Sequence, residues 1–178
     1  MPELPEVETI ARDLRPGLTG ARFSDIRIHR PDVLRDTSAT ALVRALRGRR
    51  VAEVGRRAKH LVIALDDGAR LVIHLRMTGS LYITTAKARD PYAVLDAGIG
   101  ARRRLVFRDV RRLGTVQLWS PDRWAAHAAR IGPEPLEKGF TSEALGQALR
   151  GGQLAIKKAL MDQRRLAGVG NIYANEAL

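Results

Sequence analysis

The sequence predicts an α+β protein in which an N-terminal helix precedes a run of antiparallel strands and the C-terminal part is helical. Two observations support this prediction. Apolar residues recur at helical spacing near both ends of the 178-residue chain, and over residues 50–119 they form short strand-like runs separated by turns. Helices followed by consecutive antiparallel strands indicate a sandwich-like β domain.

The first helix is predicted over residues 5–14. Pro5 suits its first turn, and Glu6 complements the positive N-terminal end of the helix. Its apolar face consists of Val7, Ile10, Ala11 and Leu14. Arg15-Pro16-Gly17 is expected to end the helix, because proline lacks an amide hydrogen and disfavours a helical residue before it.

A second amphipathic helix is predicted over residues 39–46, and strands follow it. Residues 60–65 and 70–75 flank the sequence Asp66-Asp67-Gly68-Ala69, a composition typical of a β-hairpin turn. Residues 84–100 are polar and are predicted to form a loop. The remaining strands are predicted at residues 81–83, 104–107 and 115–119.

The residues from 121 to 139 include three prolines and are predicted to connect two domains, residues 1–120 and 140–178. The second domain is expected to be helical. Its predicted helices are one capped by the hydroxyl of Thr141, one over residues 154–161 and one that begins at Asn171.

The positive net charge of the chain favours a polyanionic partner. Lys and Arg number 31 against 19 Asp and Glu, which gives a formal net charge of +12. Each cation placed on a phosphate releases condensed counterions, so such an excess is typical of nucleic-acid-binding proteins. The alternative interpretation is a solubilising surface on an arginine-rich protein.

Cysteine is absent from the sequence, which excludes disulfides and thiolate metal sites within these residues. No apolar run approaches the roughly 18 residues that a membrane span needs. The N-terminus has neither the basic start nor the apolar stretch of a signal peptide. We therefore expect a cytoplasmic protein with no membrane partner.

Pro2, Glu3 and Glu6 are candidates for amine catalysis. Removal of Met1 would free the secondary amine of Pro2, whose pKa near 7.7–8.0 leaves roughly a third of it neutral at pH 7.5. A neutral amine attacks a carbonyl-like carbon to form an iminium, and Glu3 and Glu6 are close enough in sequence to donate protons or stabilise charge. The structural alternative is that Pro2 only helps to start a helix.

Gly168-Val169-Gly170-Asn171 is a candidate phosphate-binding loop. Two glycines before a helix let the backbone approach an anion, and Asn171 can cap the helix or donate to a phosphate oxygen. A plain link between two helices explains the glycines equally well.

Single residues in the strand region have similar alternatives. Lys59 is a candidate phosphate clamp or proton shuttle, or an ordinary surface lysine. His74 lies at a strand end, where histidine commonly has a structural role. Met77, Arg111 and Leu113 are predicted on loops, from which they can insert into a base stack, although arginine clusters are commonly solvated.

Taken together, these segments resemble formamidopyrimidine-DNA glycosylases, and the resemblance covers essentially the whole chain in family order. The motifs that carry it are Met1–Thr9, Arg56–Lys59, His74–Leu81, Asp109–Gly114, Gly132–Leu136, Ala155–Lys157, Leu160–Asp162 and Gly168–Ala174. The resemblance implies an N-terminal helix with a two-sheet antiparallel β-sandwich, followed by part of an all-α helix–two-turns–helix domain.

The resemblance also implies a monomeric, bifunctional enzyme of base-excision repair that acts on double-stranded DNA. Such an enzyme removes oxidised purines and cleaves the strand at the abasic site. By this analogy Pro2 attacks C1′, Glu3 is the acid/base partner, Glu6 supports the site, and Lys59 assists elimination and holds a phosphate.

The same analogy assigns DNA contacts to residues outside the N-terminus. Gly168, Gly170 and Asn171 would grip phosphates, and Met77, Arg111 and Leu113 would fill the gap that an extruded base leaves. His74 and Lys157 are further DNA-contact candidates.

The chain departs from the family pattern at several places. Leu113 stands where the family usually has Phe, Tyr92 is nearest to an expected His, and Gln153 replaces a frequent Lys. The family's remaining helices and its four-cysteine zinc finger are not among these residues, so we expect the 178 residues to bind no metal or other cofactor. Two alternatives therefore stay open, namely a non-catalytic DNA-binding fragment and a product that does not fold fully.

Overall fold

A computed structural model of the protein describes residues 1–85, 90–151 and 153–178. Its strands are β1 (Phe23–Ile28), β2 (Val51–Arg57), β3 (His60–Leu65), β4 (Arg70–His74), β5 (Gly79–Thr84), β6 (Ala93–Ile99), β7 (Arg104–Asp109) and β8 (Thr115–Trp119). Its helices are α1 (Leu4–Leu18), α2 (Ala39–Leu46), α3 (Pro121–Ala128), α4 (Ser142–Leu149), α5 (Ile156–Met161) and α6 (Asn171–Glu176). A 3₁₀ turn spans Pro31–Val33.

The strands form two four-stranded antiparallel sheets, in the orders β1-β6-β7-β5 and β2-β3-β4-β8. Apolar side chains of both sheets join those of α1 and α2 in one core, whose largest fully buried members include Phe23 and Phe107. This arrangement confirms the predicted α+β sandwich. The hairpin of β3 and β4, with its turn at residues 66–69, and helix α2 are also as predicted.

Helix α1 is longer than predicted, since it continues through Pro16 to Leu18. The expectation that proline would end the helix was wrong, because Pro16 lies in the last turn and burial of Leu18 at the end of the helix offsets the hydrogen bond that proline cannot donate. Leu18 is fully buried, and the Arg15 side chain donates to the carbonyl of Val54 at 3.0 Å. These contacts fix the C-terminal end of α1 against β2.

The predicted loop over residues 84–100 is also wrong, because most of its second half is strand β6. Every residue of β6 is buried, since the strand lies between β1 and β7 in the middle of its sheet. A strand buried along its whole length shows no polar–apolar alternation, which hid it in the sequence. Residues 86–89 of the predicted loop lie outside the described residues.

The predicted connector contains an unpredicted helix, α3, which the Ser120 hydroxyl caps by accepting from the amide of Arg123. Rings pack α3 onto the second sheet: the His127 ring centroid lies 4.6 Å from that of Trp119 and 5.4 Å from that of His60. His60 in turn contacts His74 edge to face at 4.9 Å. The ring cluster thus joins the connector to strands β3, β4 and β8.

Beyond the connector, three helices surround a small apolar cluster of Leu160, Leu166 and Ala174. The Thr141 hydroxyl accepts from the amide of Ala144 and caps α4 as predicted. Helix α6 begins at Asn171, also as predicted. The division into domains 1–120 and 140–178 stays a prediction. Among the described residues no helix has both the length and the apolar character that a bilayer crossing requires.

The packed rings of His60, His74, Trp119 and His127, here called the ring cluster, are expected to make the stability of the fold sensitive to acid. Burial, followed by the charges of neighbouring His and Arg side chains, lowers the pKa of His60 to about 4 and that of His74 to about 3. Below pH 6.5 the unfolded chain therefore binds protons that the folded chain does not, and the unfolding free energy falls by up to about 1.4 kcal/mol per pH unit for each histidine.

Urea unfolding of wild type and His60→Phe between pH 7 and pH 4 checks this prediction. The variant is expected to lose less stability on acidification, because it lacks the His60 ring and because a charge on His60 no longer lowers the pKa of His74. Carboxylates contribute equally to both proteins. Identical slopes for the two proteins would contradict it.

Candidate functional site

The carboxylate of Glu3 joins the N-terminus of the chain to helix α6. Glu3 is only 2% exposed, and its oxygens accept hydrogen bonds from the amides of Gly170 at 2.6 Å and Ile172 at 2.9 Å. The amide of Tyr173 adds a longer contact of 3.4 Å. The carboxylate thereby satisfies amide groups at the start of α6, where a negative charge is stabilised.

Glu6 and Tyr173 reinforce this junction. Glu6 accepts from the amide of Glu3 at 2.9 Å, which with the Glu3 side chain completes a capping box at the start of α1. The Tyr173 hydroxyl donates to the other Glu6 oxygen at 2.9 Å. Burial opposes ionisation of Glu6, but the hydrogen bonds from Glu3 and Tyr173 outweigh it and lower the pKa of Glu6. The group is therefore ionised at neutral pH.

Pro2 precedes this junction and is half-buried. While Met1 is present, the Pro2 nitrogen forms a peptide bond with it, so this nitrogen becomes an amine only when Met1 is removed. The fixed position of Glu3 places that nitrogen at the junction between α1 and α6.

The segment of residues 166–170, here called the glycine loop, approaches the N-terminus closely. The amide of Leu4 donates to the carbonyl of Gly168 at 3.0 Å, and Gly168 has φ +79°. A Cβ at Gly168 would lie 2.5 Å from Cβ of Leu4, so only glycine fits this contact without strain. Gln163 shapes the loop by accepting from the amide of Gly168 and donating to the carbonyl of Val169.

The expected capping role of Asn171 is wrong. Gly170 is the N-cap residue of α6, and the Glu3 carboxylate supplies the hydrogen bonds that a capping side chain would provide. Asn171 is the first residue of the helix, and its side chain is exposed. The Asn171 side chain makes no hydrogen bond within the described part of the chain, so its amide group is available to a ligand.

Lys59 is 8% exposed and lies in the two-residue turn between β2 and β3. Burial lowers the pKa of its amine, while the charge of Glu3 acts in the opposite direction. A Cβ at Gly170 would lie 2.5 Å from both the Glu3 carboxylate and Nζ of Lys59. In the described residues the Lys59 amine has no hydrogen-bond partner. The structure therefore brings the Glu3 carboxylate, the Lys59 amine and the glycine loop together beside Gly170.

A buried ion pair holds the Lys59 turn. Glu134, in the connector, accepts from Arg56 at 2.5 Å and from the amide of Ala58 at 2.7 Å, and it pairs with Arg57 at 3.0 Å. Ala58 has φ +49°, an unusual conformation for a residue with a side chain. The hydrogen bonds to Glu134 stabilise this conformation and fix the Lys59 backbone.

Met77, Arg111 and Leu113 lie on two adjacent loops, and all three are exposed. Buried Asp109 joins the loops, since one of its oxygens accepts from the Thr78 hydroxyl at 2.5 Å and the other from the amide of Gly114 at 2.7 Å. Thr78 in turn accepts from the amide of Arg111 at 3.2 Å. Two apolar side chains and one guanidinium are thus exposed to solvent on loops that hydrogen bonds hold together.

The other predicted DNA contacts differ in their surroundings. Nδ1 of His74 accepts from the amide of Arg76 at 3.1 Å, and its lowered pKa keeps the ring neutral at physiological pH. Lys157 lies on α5, and across the described ranges no hydrogen bond or ion pair joins it to the other predicted site residues. Assignment of either residue to DNA binding stays a prediction.

Three residues that position the site were not predicted to do so: Asp109, Glu134 and Tyr173. The available signal was a polar residue, acidic at Asp109 and Glu134 and phenolic at Tyr173, that precedes or follows a glycine- or arginine-rich loop. That signal is weak, because the partners of each residue are distant in sequence and emerge only when the chain folds. Within residues 1–85, 90–151 and 153–178, no three His, Asp or Glu side chains are placed to share a metal ion.

Comparison with protein families gives two matches. Residues 1–116 match the formamidopyrimidine-DNA glycosylase N-terminal domain, and residues 131–178 match the formamidopyrimidine-DNA glycosylase H2TH domain. Formamidopyrimidine-DNA glycosylase of Chloroflexus aurantiacus is 44% identical over 182 residues, which include 100% of this chain and 64% of the relative. The protein of that name from Paracoccus denitrificans is 42% identical, with coverage of 100% and 66%. The chain therefore spans about two thirds of the length of these relatives.

Solved structures show the same similarity. Wild-type Lactococcus lactis Fpg, in a complex with DNA that contains N7-benzyl-Fapy-dG, superposes with a TM-score of 0.89 at 35% identity, covering 99% of this chain and 66% of that one. A structure of the same L. lactis glycosylase, non-covalently bound to DNA that contains an AP site, gives a TM-score of 0.88 at 35% identity, with coverage of 99% and 68%.

Substitution at Gly170 tests the geometry of the site. Gly170→Ala is expected to lower the unfolding free energy by about 1–3 kcal/mol, because the added methyl group overlaps Glu3 and Lys59. Gly146→Ala is the matched control. A Cβ at Gly146 meets nothing within 4 Å, so this change in helix α4 is expected to raise the unfolding free energy by up to about 1 kcal/mol. Equal effects of the two substitutions in urea unfolding would contradict the close approach described here.

Proposed function

The chain belongs to the formamidopyrimidine-DNA glycosylase family, and from this membership we propose that it acts in base-excision repair as a DNA glycosylase with AP lyase activity. The proposed substrates are oxidised purines, 8-oxoguanine and formamidopyrimidines, in double-stranded DNA. The observation that supports the proposal is the contact of Glu3 with Gly170 and Ile172. Pro2 directly precedes Glu3 in the chain, and the Glu3 carboxylate lies beside Lys59 and the glycine loop.

In this proposal Pro2, freed of Met1, is the nucleophile. Its secondary amine is far less basic than a lysine, so a substantial fraction is neutral at physiological pH. The amine nitrogen attacks C1′ of an extruded nucleotide, the bond from C1′ to the base breaks, and the base leaves with a proton. Loss of the amine proton and opening of the sugar give an iminium that withdraws electrons from C2′. This chemistry needs no metal and no organic cofactor.

The groups around Pro2 suit the later proton transfers. Glu3, whose carboxylate is fixed by backbone amides, is the proposed acid/base partner and stabilises the positive iminium. Glu6 supports Glu3 through the capping box. Elimination removes a proton from C2′ and breaks the bond from C3′ to the phosphate oxygen, and a second elimination breaks the bond at C5′. Lys59, with its lowered pKa, assists these steps and holds a phosphate.

DNA is the proposed partner, and the exposed groups around the site suit it. Asn171, whose side chain is exposed at the start of α6, would bind a phosphate. Gly168 and Gly170, whose amides already donate to Gln163 and Glu3, would let the backbone come close to it. Met77 and Leu113 would enter the stack at the vacated position, with Arg111 facing the unpaired base. The net charge of +12 favours binding to the phosphate backbone at low salt. His74 and Lys157 are proposed as additional contacts.

Non-catalytic DNA binding is the alternative function. It is favoured by the net charge of +12, which suits a phosphate backbone whether or not the Pro2 amine reacts. In that case DNA binding would be salt-sensitive, with no covalent intermediate and no preference for damaged DNA.

Blocking the N-terminus tests the amine mechanism. Borohydride is expected to reduce the iminium and cross-link the protein to duplex DNA that contains an abasic site. An uncleaved N-terminal extension, which converts the Pro2 nitrogen to an amide, is expected to lower the rate of cross-linking by about 100-fold or more, because an amide is not nucleophilic. The matched control carries the same extension at its C-terminus and should cross-link at the wild-type rate.

Gel separation of the cross-linked complex from free DNA measures the rate of cross-linking for both extended proteins. An N-terminally extended protein that cross-links as fast as the control contradicts the assignment of Pro2. Binding without any cross-linking by the unextended protein favours the non-catalytic alternative.

A further inference from the structure

A separate pocket lies between helix α2 and strand β1, with a volume of about 540 Å³. None of its lining residues belongs to the site described above. The lining residues are Ile28, Ala39, Thr40, Val43, Arg44 and Arg47.

The floor of this α2 pocket is apolar. Ile28, Ala39 and Val43 are partly buried and pack against the main core beneath them. These contacts with the core hold the floor in place. The volume of the pocket lies in the range of cavities that hold a large side chain or a small ligand. Apolar surface left open in this way favours an apolar group of a partner, since its burial releases water.

The rim of the α2 pocket is cationic. Arg44 lies in the last turn of α2, Arg47 is the residue that directly follows the helix, and both are exposed. Within the described part of the chain, neither guanidinium has a hydrogen-bond or ion-pair partner. Arg22 adds a further positive charge beside this end of α2, because it donates to the carbonyl of Gly48. The fork geometry of arginine suits carboxylates, which it can bind with two hydrogen bonds.

An apolar floor with a cationic rim favours an acidic peptide over a nucleic-acid backbone as the ligand of this pocket. A nucleic-acid backbone offers phosphates to the arginines, but it has no apolar side chain for the floor. A peptide with carboxylates on both sides of a large apolar residue satisfies both parts of the pocket. Interfaces of this kind depend on an apolar or aromatic anchor in a pocket surrounded by polar contacts.

We propose that the α2 pocket is a docking site for an acidic peptide segment of a partner protein, anchored by an apolar side chain between Arg44 and Arg47. The site is independent of the proposed glycosylase chemistry. Its occupant recruits or retains the protein without contact with Glu3 or Lys59.

Fluorescence anisotropy with a labelled peptide tests the proposal. The probe is a short poly-aspartate peptide with Leu and Phe at its centre, and the comparison probe has Ser at both apolar positions. The full chain is expected to bind the first probe at least about tenfold more tightly, because burial of even one large apolar side chain contributes about 1.5–3 kcal/mol.

Substitutions in the α2 pocket test whether the Leu–Phe probe binds at this pocket. The double substitution Arg44→Ala and Arg47→Ala is expected to weaken binding of the Leu–Phe probe about tenfold or more. The matched control is Arg102→Ala with Arg103→Ala, which removes the same charge from exposed positions outside the pocket. This control should change the affinity by less than about twofold.

A second variant, Thr40→Glu, places a carboxylate on the rim at a helix position that favours negative charge, so it should weaken binding while the fold is kept. Borohydride cross-linking to abasic DNA is expected to be unchanged in every variant, which separates this proposal from the proposed enzyme activity. Equal binding of the two probes, or equal losses in the pocket and control variants, would overturn the proposal. Displacement of the Leu–Phe probe by duplex DNA with loss of DNA binding in the pocket variant would overturn it too, and would assign the pocket to nucleic acid.

Discussion

The hydrogen bonds between the Glu3 carboxylate and the amides of Gly170 and Ile172 fix the rest of the site. They join segments that are 167 or more residues apart in sequence, and they do so with an acidic group that is almost completely buried. A buried carboxylate is costly unless hydrogen bonds replace its water, and unpaired amides at a helix start are costly for the same reason. Each group therefore satisfies the other, and Pro2 is positioned as a consequence.

Buried carboxylates have a similar role at two other places. Asp109 braces the loops that present Met77, Arg111 and Leu113, and Glu134 holds the turn that carries Lys59. Each accepts hydrogen bonds from a backbone amide and from a side chain of a distant segment. In a chain with a net charge of +12, acidic residues thus organise loops from the interior while basic residues remain available at the surface.

The sequence was sufficient for elements with local signals, and it failed where tertiary packing decided the outcome. Helix α2 and the hairpin of β3 and β4 follow from amphipathic spacing and turn residues. Strand β6 was missed because burial on both faces removes alternation, and Pro16 was misinterpreted because packing of Leu18 outweighs the local cost of proline. The site residues at the two ends of the chain were grouped by family resemblance, since no local pattern reports a contact over such a separation.

Amide hydrogen exchange in wild type and Glu3→Ala tests the central claim most directly. If the Glu3 carboxylate holds the start of α6, the substitution will accelerate exchange at Gly170 and Ile172 by about tenfold to a hundredfold, because hydrogen bonds to a charged acceptor contribute about 1.5–3 kcal/mol. Exchange at Leu61, a core amide of β3, will stay within about twofold of wild type. Unchanged protection at Gly170 and Ile172, or equal acceleration at all three amides, would contradict the account.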